Sequence, residues 1–79
     1  MPVFYFHVRS EGSVLQDDEG IDLPDRDAAG TEAAAGARDI VAERVKSGKP
    51  FGLDDVFEIT DESGQLVLTV PFREVVPER

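Results

Sequence analysis

The chain has 79 residues, no cysteine, and 17 acidic against 8 basic side chains, for a net charge of −9. That length makes one domain which buries only about 60–65% of its unfolded surface, so a thin core is expected with neither disulfides nor thiolate metal sites to reinforce it. Oligomerisation is then the expected reinforcement, while the negative field disfavours nucleic acid and anionic membranes and would attract a basic protein, although acidity alone mostly serves solubility.

Residues 3–9, VFYFHVR, are aromatic and β-branched and read as a strand. Alternation puts Phe4, Phe6 and Val8 on one face, and Val3, Tyr5, His7 and Arg9 on the other. The start lacks a basic segment, and its apolar run is broken by His7 and Arg9, so no signal peptide is expected. No segment is apolar and long enough to span a bilayer, and a cytoplasmic location follows as the default. Gly12, within Ser10-Glu11-Gly12-Ser13, marks a turn. A short second strand is expected over residues 14–16, resuming near Gly20, Ile21 and Asp22 after an acidic loop.

Leu23-Pro24-Asp25 announces a helix, with Asp25 as N-cap and Asp27 suited to the positive end of the dipole. The helix is expected from Arg26 to about Ser47. Gly48 follows its end, and Pro50 prevents continuation. Ala29, Ala33, Ala34, Ala37, Ile40, Val41 and Val45 recur at helical spacing and form its buried stripe. Gly30 and Gly36 each cost about 1 kcal/mol relative to alanine.

Residues 55–60 alternate again, with Phe57 and Ile59 inward. Asp61-Glu62-Ser63-Gly64 fits a hairpin turn. Residues 66–72 form the last strand, with Leu66, Leu68, Val70 and Phe72 toward the core, and residues 73–79 read as a frayed tail.

The expected fold is therefore α+β, a β-β-α-β-β chain forming a four-stranded antiparallel sheet with one helix on one face. A right-handed crossover gives strand order 2-1-3-4, preferred over the rival 2-1-4-3. Pro71, unable to donate a ladder hydrogen bond, suits a fourth strand at the edge. The reverse face would display Val3, Tyr5, His7, Val56, Val67 and Thr69, with Arg9, Glu58 and Gln65 among them. This is more apolar than a solvated sheet face usually is, which makes these residues the candidate interaction surface.

No catalytic constellation is legible, and no cofactor is implied. His7 is the one histidine. It could serve as a base or metal ligand beside Glu58, but the plainer reading is a half-exposed, hydrogen-bonded strand histidine. The carboxylates between Asp17 and Asp27 have a hard cation's chemistry but miss the calcium-loop spacing, since a glycine at Gly20 would require an acid at Leu15. A solvated acidic loop accounts for them. Ser10, Ser13, Ser47 and Ser63 lack any nucleophile motif.

The opening Phe4-Tyr5-Phe6-His7-Val8, the Asp18-Glu19-Gly20 element, the Leu23-Pro24-Asp25 step and the closing residues 57–72 together resemble a family of short bacterial proteins known as a domain of unknown function. The resemblance spans nearly the whole chain. It implies a cytoplasmic bacterial protein with this element order and brings no activity. The hairpin, Pro-Asp step and alanine-rich helix also resemble HicB-type antitoxins at the level of the fold, without their Pro-Gly-Cys element. The expected function is a non-enzymatic interaction or regulatory domain acting as a homodimer. An antitoxin-like neutraliser of a basic protein is the alternative, and a small ligand-binding protein or enzyme centred on His7 the third.

Overall fold

A computed structural model describes residues 1–50 and 52–77. In chain order the elements are β1 (Val3–Ser10), β2 (Ser13–Leu15), β3 (Ile21–Asp22), α1 (Arg26–Lys46), β4 (Val56–Thr60), β5 (Leu66–Pro71) and α2 (Phe72–Val75). The class is the expected α+β with an antiparallel sheet. Its order is β2-β1-β4-β5, with β3 also paired to β1. The expected second strand is thus two pieces along one edge, and the sheet has five strands where four were expected. Counting β2 and β3 as one strand recovers the order 2-1-3-4. Pro71 sits on the edge strand β5, where its missing N–H costs the ladder nothing.

Local chemistry fixes the ends of α1. The Asp25 carboxylate accepts from the Ala28 amide at 2.9 Å, closing one of the N–H groups that a helix start leaves open. At the other end the Gly48 amide donates to Val45 O and the Lys49 amide to Arg44 O, the paired bonds of a Schellman motif. That motif needs a left-handed residue, which Gly48 supplies at φ 71°.

Between these caps Ala29, Ala33, Ala37 and Val41 are buried against Phe4, Phe57, Ile59 and Phe72. Alanine has no reach, so the helix must lie close to the sheet. The interior glycines face the same way: a Cβ on Gly36 would stand 3.5 Å from the Phe57 ring and one on Gly30 3.4 Å from Leu68. The helix runs unbroken through both glycines. Val45 departs from the expected stripe. It is 52% exposed, because the last turn of α1 lies level with Asp55, ahead of β4, where Arg44 Nη1 meets the Asp55 carboxylate at 3.0 Å.

The end of the chain also differs from expectation. The last strand stops at Pro71, and residue 72 opens a short helix rather than extending the ladder. Phe72 is fully buried, 5.1 Å from the Phe57 ring centroid. Its amide donates to Asp55 O, and Arg38 Nε donates to Val75 O. Residues 73–76 are therefore part of the packed structure and not a frayed tail, while residues 78 and 79 lie outside the described residues. Leu66, expected in the core, is 55% exposed, since the sheet slips register between Ile59 and Thr60 just where β5 begins.

Two stability outcomes are expected. Phe72→Ala should cost about 3–5 kcal/mol in denaturant unfolding, as a filled aromatic site in a core does, whereas a frayed tail would tolerate it. Gly36→Ala should stabilise by about 0.4–1 kcal/mol, because the added methyl fits an ordinary contact and restricts the unfolded chain. Thermal melts of the two variants check both.

Candidate functional site

The two faces of the sheet differ in what covers them. α1 and α2 pack together and against β4 and β5 on one side. On the reverse side the strand register assembles one surface: Tyr5 stands opposite Thr60, His7 opposite Glu58, and Arg9 opposite Val56, with Thr69 beyond Glu58. Val3, Tyr5, His7 and Val56 are half-buried there, and Thr69 is exposed. Val67 is drawn off this set. It is half-buried and packs against the core, beside the register slip. Of the surface expected from the sequence, Val3, Tyr5, His7, Val56 and Thr69 thus share a face as alternation requires. Of the most exposed large apolar side chains, Met1 (78%) and Leu15 (74%, on the β2 edge) lie away from this set, while Leu66 stands opposite Thr60 on β5.

Polar contacts cross the middle of the reverse face. Arg9 Nε and Nη2 donate to the two Glu58 carboxylate oxygens at 2.7 and 3.2 Å. This two-point contact holds the Glu58 carboxyl below the usual carboxylate range, against the small cost of its burial, with His7 adding in the same direction. Glu58 is therefore committed to Arg9, and does not assist His7.

His7 is engaged at both ring nitrogens. The Asp17 amide donates to Nδ1 at 3.0 Å, and Nε2 lies 3.0 Å from Thr60 Oγ1. A main-chain N–H can only donate, so Nδ1 carries the lone pair and Nε2 the proton, which it gives to Thr60. With both nitrogens engaged, neither is free to bind a metal or a substrate unless one of these bonds is given up. Among the described residues no three acidic or histidine side chains converge as metal ligands.

Asp17 is the residue around which the gap between β2 and β3 is built. With no strand beside it there, the Phe6 amide would lack an acceptor; it donates to Asp17 Oδ2 at 3.0 Å. The other oxygen, Oδ1, accepts from the Glu19 and Gly20 amides at 3.0 and 3.2 Å. Burial of this carboxylate opposes its ionisation, but the amides of Phe6, Glu19 and Gly20, joined by His7, outweigh that and hold it below its ordinary value. Gly20 completes the turn at φ 72°, with Val3 and Tyr5 so close beneath that a Cβ would collide with both side chains. Residues 17–20 thus lie over the Val3–Tyr5 end of the reverse face.

Neither Asp17 nor Thr60 stands out by composition. Asp17 is one of three consecutive acids, and the signal that separates it is the spacing of an Asp three residues before a Gly, the pattern of a side chain closing a turn on its own backbone. The acidic loop read as a possible cation site spends this carboxylate on the main chain.

Two comparisons are silent: no curated protein and no solved structure matches the chain. A family model does match, over residues 3–73, and its description is a domain of unknown function (DUF6894). That agrees with the family resemblance read from the sequence, and nothing supports the likeness to HicB-type antitoxins.

Because the folded Asp17 carboxyl is held below its ordinary value of 3.8, its contribution to stability is present above that pH and is lost as pH falls through the lower folded value. Asp17→Asn, which turns an acceptor into a donor toward one of its amides, should cost about 1–2 kcal/mol near neutrality. The difference from the parent protein should shrink below pH 4. Urea unfolding at pH 7 and pH 3 measures it.

Proposed function

The chain belongs to the DUF6894 family, whose description carries no activity, and we propose that it is a non-enzymatic protein-interaction domain of the cytoplasm that pairs with a second copy of itself across the reverse face of its sheet. The observation that carries this reading is the one-sided covering of the sheet. Both helices pack on one side, while Val3, Tyr5 and Val56 on the other remain partly accessible beside the exposed Thr69. A small domain with so little interior gains most from an added layer, and a copy of the same face supplies one. The polar groups there do not argue against contact. Arg9–Glu58 and His7–Thr60 are already paired within the chain, so covering them leaves no lone charge, and the remaining Arg9 N–H groups are donors that a facing copy must accept from.

A second reading, a basic protein partner of the kind an antitoxin neutralises, is favoured by the carboxylates at one end of the molecule. Asp18 and Glu19 on the connection into β3, Asp22 at the end of β3 and Asp27 in the first turn of α1 are all exposed. The reverse face and this acidic end would serve different partners, and salt separates them. Two copies each carrying −9 repel, so pairing with itself should tighten as ionic strength rises, whereas a basic partner should be released.

Light scattering over a concentration series tests the first reading. A dimer that strengthens with added salt and dissociates in Tyr5→Glu, with the melting temperature of the dissociated chain retained, is the expected outcome. A strict monomer at millimolar concentration in high salt would remove it.

A further inference from the structure

We propose that residues 17–20 are a cover over one end of the reverse face, latched by neutral His7 and released when the imidazole takes up a second proton. The inference rests on the reverse face being the interaction surface, and it adds what regulates access to that surface.

The latch follows from donor and acceptor bookkeeping at one atom. Nδ1 of His7 accepts the Asp17 amide at 3.0 Å. A proton arriving from solvent at Nδ1 occupies the same lone pair, and two donors then face each other at hydrogen-bond distance. One of them must move. On the ring's other side Nε2–H keeps its bond to Thr60 Oγ1 in both protonation states, so the imidazole stays anchored to β4. The displaced partner is Asp17.

Moving Asp17 disturbs more than one bond. Its carboxylate also holds the Phe6, Glu19 and Gly20 amides, and Gly20 is the residue seated on Val3 and Tyr5. The segment has few other attachments: Asp18 and Glu19 are exposed, and β3 beyond it is only two residues long. Release of Asp17 therefore frees the segment that covers the apolar end of the face.

The charged groups facing His7 are Asp17 from the β2–β3 connection and Glu58 from β4, with Arg9, two residues along β1, paired to Glu58. Tyr5 on β1 and Asp61 and Glu62 from the β4–β5 turn line the same depression.

Nuclear magnetic resonance on the full chain between pH 8 and pH 5 tests the latch without any partner. At pH 8 the ring nitrogen shifts should report the Nε2–H tautomer, with the Asp17 amide protected from exchange. As His7 titrates, exchange at Asp17 should accelerate about tenfold beyond the intrinsic effect of pH, the equivalent of one lost hydrogen bond. His7→Asn places a neutral amide oxygen where Nδ1 stood and should leave Asp17 protected at both pH values. An Nδ1–H tautomer at pH 8, or Asp17 protection unchanged while His7 titrates, overturns the proposal. Light scattering on the same samples keeps the two readings apart. Association with a pH-silent Asp17 removes the latch alone. A responsive Asp17 without association at either pH supports the latch and removes the interaction surface it was inferred to guard.

Discussion

The architecture depends on how closely α1 can approach the sheet. Ala29, Ala33 and Ala37 present almost no side chain, and Gly30 and Gly36 present none, so large groups from the strands fill the interface. Phe57 and Ile59 of β4 and Phe72 from the far end of the chain occupy that space. An interior built in this way places its volume on the sheet side. Enlarging the helix stripe would lift α1 away and open the contacts to Phe72 and Ile59 together. The helices gather over β4 and β5, while β1 joins the same interior through Phe4, Phe6 and Val8.

The Arg44–Asp55 contact completes this arrangement at the other end. Asp55 is buried, its carboxylate meets Arg44 at the end of α1, and its carbonyl receives the Phe72 amide. One residue thus joins the helix, the start of β4 and the closing helix. A buried carboxylate is costly unless paired, and here the pairing also fixes where α2 begins. Gly52 makes room for it: its φ is 75°, and a Cβ there would strike the Arg44 guanidinium.

Much of this was legible in the residues. The Asp25 cap, the Gly48 stop, the alanine stripe and the turn at residues 61–64 are local patterns with local causes, and the structure follows each. The order of the main strands followed from the handedness of one crossover, but the division of the second strand into β2 and β3 did not. Three features were not legible for physical reasons. The alternation of residues 66–72 points Phe72 inward whether it belongs to a strand or opens a helix, so periodicity could not reveal α2. Val45 obeys helical spacing but lies level with the residue ahead of β4, and spacing along one element carries no information about the length of its neighbour. Asp17 looks like Asp18 and Glu19 in composition and differs from them through a strand ending two residues earlier. The reverse-face set was recovered by alternation except at Val67, where a slip in register decided the outcome.

The interruption between β2 and β3 has a further effect on how copies of this chain can meet. An uninterrupted outer strand offers a row of free amides and carbonyls onto which another chain can zip, and then another, without limit. Here the row is broken, and at the break the Phe6 amide is already taken by a side chain carrying negative charge. A strand approaching that margin finds a short ladder, then a loop whose carboxylate is spent on this chain's own amides. Growth by lateral accretion into fibres is obstructed at that margin from the outset.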